Sequence, residues 1–224
     1  MTEAGRYAAS DTLIEYMKSN PMTLASGSPR RQELLANMGL TFRVVKPMLD
    51  ESAVKAIGPR ALVKRLSRLK AREVQARQAE NAPADTAGDM GCGLILAADT
   101  VVYLRGRILG KPSDTAQARA MLRRLSGRTH QVFTGVTLLD GAFERTFCVR
   151  TAVRFNKLTG RQIADYVATG EPMDKAGAYG IQGEGRALVA RIRGSFENVM
   201  GLPVQALLSR LDEWSRRMIR FGIV

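Results

Sequence analysis

Two arginines stand where a helix least favours them. In Thr23-Leu24-Ala25-Ser26-Gly27-Ser28-Pro29-Arg30-Arg31 an apolar strand passes through a small-residue turn straight into a helix. Ser28 sits as N-cap and Pro29 at the first helical position. Arg30 and Arg31 then occupy the first turn, which carries partial positive charge and free N–H groups. Each is disfavoured there by about 0.3–1 kcal/mol. A bound phosphate would reverse the sign, and a helix N-terminus after a Ser/Gly turn suits one; the alternative is that both side chains lie in water. Asp99 is the second candidate, a carboxylate inside the apolar run LILAADTVVYL. Buried there it needs a cation, a metal or hydrogen bonds, or it is a structural aspartate taking backbone N–H groups. Thr100 beside it either bonds a ligand or fills a strand position.

Glu51, next to Asp50, is either a second carboxylate for a divalent ion or part of an exposed acidic turn. Mg²⁺ usually takes one or two carboxylates with phosphate oxygens and water, so Glu51 and Asp99 would suffice. Lys70 lies one turn beyond Leu66, at the margin of a buried helical stripe, and Lys111 lies on the short connection Gly110-Lys111-Pro112. Gly177, Gly180, Gly183 and Gly185 crowd the segment DKAGAYGIQGEG. That density signals close backbone approach or a flexible lid, and its spacing matches neither a Walker loop nor a dinucleotide fingerprint. Gln182 offers a donor and an acceptor for a base edge, or is a surface glutamine. His130 reads as a strand residue rather than a ligand.

The elements that must position these groups follow from pattern. Residues 1–21 read as a weakly ordered extension with at most a helical turn or two around Leu13 to Lys18, and residues 22–224 as a single domain. Strands are expected at 22–25, 41–45, 94–104, 130–139, 145–155 and 187–192. Asp140-Gly141 is a hairpin signal, and Arg105-Gly106-Arg107 a second turn. Helices are expected at 29–38, 59–78, 114–125, 159–168 and 203–218, with a loop insertion at about 81–93. Strand–helix units mixed with hairpins predict an α/β or α+β fold around a mixed sheet with flanking helices.

Composition narrows the function classes. The 224 residues are 45% hydrophobic and 25% charged, ordinary for a globular chain. No apolar run predicts a signal peptide or membrane span. Cys92 and Cys148 fit no redox or ligand spacing and suit a reducing compartment, so the cytoplasm is expected. The net charge of +13 suits a nucleic-acid binder or an enzyme for a polyanionic small molecule. The basic residues fall at helical intervals without interleaved aromatics, which counts against stacking on bases.

SGSPRRQELL, AADT, GKP, KAGAYGIQG and GLPV, in this order and spacing over about residues 22–210, resemble the Maf family of nucleoside triphosphate pyrophosphatases, also called septum formation inhibitor-like. The resemblance implies a mixed twisted sheet with two lobes around a cleft, a homodimer, and a divalent cation, Mg²⁺ or Mn²⁺. It implies hydrolysis between the α and β phosphates of a small-molecule nucleotide, with neither nucleic acid nor membrane as partner. By motif position Asp99 matches the proton acceptor and, with Glu51, the metal side, although Asp50 could substitute for Glu51. Ser28 falls in the phosphate-binding turn. Arg30, Arg31, Lys70 and Lys111 match phosphate-binding cations, and Arg30, Thr100 and Gln182 match positions of substrate choice. The form KAGAYGIQG resembles the subgroup acting on dTTP and UTP, with modified pyrimidine nucleotides as further candidates. A house-cleaning role and a link to cell-division arrest are implied. The alternatives are a sister activity on methylated GTP and a basic nucleic-acid-binding module.

Overall fold

The computed structural model describes residues 9–19, 21–54, 56–81 and 93–220. Seven strands form one mixed sheet: β1 (Met22–Ala25), β2 (Phe42–Val45), β3 (Ile95–Leu104), β4 (Arg107–Leu109), β5 (Thr129–Asp140), β6 (Phe143–Phe155) and β7 (Val189–Arg193). Their order is β2-β1-β3-β5-β6-β7, with β4 added to β3. The first two pairings, β1 with β2 and β1 with β3, are parallel; the rest are antiparallel. The expected mixed α/β architecture is therefore the one observed. The expected loop at about 81–93 falls largely outside the described residues, as does Cys92.

Register on β3 creates the one irregular edge that matters. Its β1 neighbour ends at Ala25 opposite Ala97, and its antiparallel β4 neighbour reaches back only as far as Leu109 opposite Val102. The opposite edge pairs with β5 without interruption from Ile95 to Tyr103. Residues 98–101 thus lack a strand partner on one side, and Asp99 and Thr100 sit in that gap. The turn from β1 into α2 (Pro29–Ala36) opens beside it. Ligands in α/β sheets gather where strands end in this way.

The helices are distributed unevenly. Those designated α1 (Asp11–Ser19), α2, α4 (Thr115–Leu125), α5 (Gly160–Ala168), α6 (Phe196–Met200) and α7 (Val204–Arg220) pack into the main core on one face. Among the described residues α3 (Pro59–Glu80) alone lies on the other, over Ile95, Ala97, Val101 and Phe133. Gly135, directly opposite Asp99, allows α3 its close seat: a Cβ there would stand 2.4 Å from the Val63 backbone.

One expectation needs correcting. The stretch before residue 22 is not a weakly ordered extension throughout, because Asp11–Ser19 is a nine-residue helix. Its Leu13, Tyr16 and Met17 are buried in the main core, and Ser10 donates to Asp212 of α7 at 2.6 Å. Apolar residues at positions 13, 16 and 17 are the helical spacing that carries this.

Candidate active site

Lys70 and Asp99 form a buried pair, only 7% and 5% exposed. Helix α3 brings Lys70 down onto β3, and its Nζ donates to Asp99 Oδ1 at 2.7 Å. The same Nζ lies 2.9 Å from Glu51 Oε1, whose side chain is about half exposed. One ammonium therefore joins the two carboxylates read from sequence. Asp99 Oδ2 is buried and has no hydrogen-bond partner. Buried carboxylate oxygens are normally satisfied, so an orphan marks a place where another group belongs.

The two adjacent acids differ in their contacts. Asp50 accepts from Ser52 N at 3.0 Å and Ser52 Oγ at 2.6 Å, capping the short helical turn Glu51–Ala53. Those bonds hold its pKa below the usual value. Asp50 is occupied locally, and Glu51 faces Lys70. Met48 N donates to Glu73, and Arg77 donates to the Lys46 carbonyl, so the strap leading to Glu51 is fastened to α3.

On the other side of the gap α2 begins. Ser28 is its N-cap residue, as predicted, but its side chain makes no capping bond. The first backbone bond runs from Gln32 N to the Ser28 carbonyl, which leaves the Arg30 and Arg31 N–H groups at the open helix end. Arg31 is tied in on three sides: Nε donates to Gly201 O at 2.8 Å, Nη1 to Ser26 Oγ at 3.1 Å and Nη2 to Thr100 Oγ1 at 3.1 Å. A guanidinium has five N–H groups, so two remain for a ligand. Burial lowers the Arg31 pKa, Asp99 opposes that, Arg30 adds to it and Glu51 opposes it. These couplings show Arg30, Arg31, Asp99 and Glu51 within one electrostatic neighbourhood. Arg30 also acts on Asp174, at the edge of the glycine-dense segment.

The remaining predicted residues are less closely joined. Lys111 is exposed and directly follows β4, at the far end of the gap. The Gly110 carbonyl before it accepts from Gly177 N at 2.9 Å. Gln182 is half-buried at the head of the helical turn Gly183–Leu188, where its side chain makes no capping bond.

The glycine density proves to be close approach within the protein. A Cβ at Gly180 or Gly183 would press on the Glu171 carboxylate, and one at Gly185 would meet the Gly180 carbonyl and Tyr166 Oη. Glu171 accepts from Tyr166 Oη at 3.0 Å and Glu184 N at 3.0 Å, and Tyr166 Oη accepts from Gly180 N at 2.9 Å. The predicted strand at His130 is also found, with the imidazole 1% exposed. Its Nε2 lies 2.7 Å from Tyr179 Oη.

Sequence reading missed α6 and the polar network beneath Thr100. Thr100 Oγ1 lies 3.0 Å from Thr134 Oγ1, which donates to the Asn198 carbonyl at 2.9 Å. Asn198 Nδ2 donates to Thr151 Oγ1 at 3.1 Å and to Val132 O at 3.3 Å. The available signal was Ser195 three residues before Asn198, a cap spacing that is observed, with Gly201 closing the helix.

A divalent ion would need hard oxygen ligands from these groups. Among the described residues no cluster of three or more His, Cys, Asp or Glu could hold a metal. Glu51 and Asp99, with one orphaned oxygen, supply a hard two-carboxylate set. That set fits an ion whose other ligands are phosphate oxygens and water. No helix among the described residues is long and apolar enough to cross a membrane.

Known proteins resemble this chain over most of its length. A dTTP/UTP pyrophosphatase of Symbiobacterium thermophilum is 49% identical over 193 residues, 86% of this chain and 93% of the relative. The protein of that name from Moorella thermoacetica is 48% identical over 202 residues, covering 87% and 98%. That from Escherichia coli O157:H7 is 48% identical over 181 residues, covering 81% and 86%. The family model described as Maf-like protein matches residues 21–214, and the chain belongs to the Maf family.

Proposed function

We propose that this protein is a nucleoside triphosphate pyrophosphohydrolase that cleaves dTTP and UTP between the α and β phosphates. The observation that carries the reading is Asp99 Oδ2, buried without a partner in the β3 gap, beside Lys70 and across from the open end of α2. Relatives at 48–49% identity carry the name dTTP/UTP pyrophosphatase, which supports the substrate class.

The residues divide the work by chemistry. Lys70 occupies Asp99 Oδ1 and so points Oδ2 at the gap, where it orients the attacking water and takes its proton. Arg31, braced by Gly201, Ser26 and Thr100, holds two fixed N–H donors toward a phosphate. Arg30, Ser28 and the N–H groups of the first turn extend that anion site, and Lys111 closes it from beyond β4. Preorganised cations of this kind stabilise charge growing on departing pyrophosphate. Glu51 and Asp99 would hold a Mg²⁺ or Mn²⁺ ion, which adds Lewis-acid stabilisation of the triphosphate. Gln182 is assigned to reading the base.

A panel of nucleoside triphosphates with pyrophosphate detection, run with magnesium, manganese and chelator, tests the reading. Stoichiometric monophosphate and pyrophosphate from dTTP and UTP, abolished by chelator, is expected. Activity confined to methylated GTP would replace the substrate assignment, and absence of pyrophosphate from every nucleotide would overturn the reaction.

A further inference from the structure

The cations of the nucleotide site are a small part of the 34 lysines and arginines behind the net charge of +13. Part of it is gathered on one surface. Among the described residues helix α3 alone lies on its face of the sheet, over β3, β5 and the Glu144 to Cys148 part of β6, so the corner that the rest of β6 makes with β7 stays uncovered. Side chains alternate along a strand, and directly paired residues share a face. Arg150 and Arg154 of β6 and Arg191 and Arg193 of β7 all project there, and all four are exposed. Arg154 stands directly opposite Arg191, and Arg193 opposite Ala152. Like charges so paired destabilise a sheet. None of the four makes an ion pair among the described residues, while Glu144, the acid on the same face of β6, is held by Arg68 and Arg72.

The usual reasons for such charges do not cover the whole set. Charged residues guard an edge strand against pairing, which accounts for Arg191 and Arg193 on the outermost strand β7 but not for Arg150 and Arg154, because β6 lies between β5 and β7. A solvated face ordinarily mixes both signs. At the next positions of the antiparallel sheet the row Tyr103, Gln131, Ala152 and Arg193 crosses four strands, and the Tyr103 ring is only partly covered, edge-on to Phe133. Arg60 and Lys64, at the start of α3, extend the positive field as far as Cys148.

We infer that this uncovered sheet face binds single-stranded nucleic acid, at a site separate from the nucleotide site and across α3 from Asp99. Guanidinium groups two residues apart along a strand are spaced about 7 Å, and each can take a phosphate in bidentate fashion. An open antiparallel sheet with an aromatic ring is a stacking platform for unpaired bases. A broad sheet face does not enter a duplex groove, which admits a helix or a two-stranded ribbon. The helical spacing of basic residues concealed this surface in the sequence, because its arginines come from strands far apart in the chain.

The test is fluorescence anisotropy of the full chain with a labelled single strand of about 20 nucleotides at about 0.1 M salt. The doubly substituted Arg154→Gln/Arg191→Gln protein should bind about tenfold more weakly, with a salt slope shallower by about 1.4. Its dTTP hydrolysis should be unchanged, which also reports that it has folded. Arg123→Gln/Arg124→Gln, two exposed positions on α4 across the sheet, removes the same charge and should leave strand affinity intact. The inference is overturned by no binding to the parent, by equal loss in both double variants, by tighter binding of duplex, or by displacement of the strand with excess dTTP.

Discussion

Asp99 and Thr100 are adjacent in sequence and face opposite sides of the sheet, and the two sides are built on opposite rules. Beneath Thr100 the polar groups are matched save for the buried Asn198 Oδ1: Arg31, Ser26, Thr134, Thr151 and the Asn198 and Gly201 carbonyls form a chain of bonds between 2.8 and 3.1 Å. Around Asp99 the matching is deliberately incomplete, with one oxygen held by Lys70 and the other held by nothing. Satisfied buried networks rigidify and specify geometry. An unsatisfied carboxylate beside a cation keeps capacity for chemistry. The Thr100 side therefore fixes where Arg31 stands, and the Asp99 side is where we place the reaction.

The strongest way to break that division is Asp99→Asn. The amide oxygen can still accept from Lys70, so the fold is retained while the proton acceptor is lost. A fall in kcat for dTTP of about 10²–10⁴ is expected, with little change in Tm. A variant as fast as the parent would remove Asp99 from the mechanism.

The next effect belongs to the closed side and appears in stability alone. Burial lowers the His130 pKa from 6.5 to about 4, so the folded protein keeps the imidazole neutral. Between those values the unfolded chain takes up a proton that the folded chain refuses. Stability is then complete above about pH 6.5 and is lost as pH falls toward 4, by about 3 kcal/mol from this group. Urea unfolding of parent and His130→Gln at pH 7.5 and pH 4.5 reads the difference. The parent should lose about 2–3 kcal/mol relative to the variant across that interval. Parallel losses in both proteins would show that His130 is not the group titrating.

The same contrast explains what the sequence disclosed. Capping residues, the β3 run and the Asp140-Gly141 turn are local signals, and they located nearly every element within a few residues. Asp99 was legible because a carboxylate inside an apolar run is costly wherever it folds, and Arg30 and Arg31 because they oppose a helix end. The sequence put Glu51 on the metal side but left Asp50 as a substitute, since the Asp50–Ser52 bonds that occupy the latter appear only in the fold. The Thr134–Asn198 link joins residues 64 positions apart, and neutral hydroxyls in strands announce nothing. The glycine segment announced close approach but not its object, because Glu171 and Tyr166 precede it as ordinary helix-end residues. Helix α1 was underestimated because a nine-residue helix is marginal alone, and its stability comes from packing on α7.

Thr134→Val gives the smallest effect and the sharpest division between the two sides. Valine keeps the shape and removes one hydroxyl from the fully buried position between Thr100 and Asn198. Neither neighbour is left bare: Thr100 Oγ1 still accepts from Arg31 and has the Gly201 carbonyl at 3.5 Å for its own O–H, and the Asn198 carbonyl still accepts from Gly201 N at 3.2 Å. The cost is therefore at the low end for a lost buried bond, about 1 kcal/mol. For a chain of this size that lowers Tm by about 2–4 °C. With Arg31 still braced by Gly201 and Ser26, kcat should stay at the parent value and KM for dTTP should rise slightly, measured in the same pyrophosphate assay. That is the reverse of Asp99→Asn, where kcat falls and Tm holds. A large loss of kcat in Thr134→Val would mean that the network beneath Thr100 reaches the reacting atoms, and that the two sides of β3 act as one.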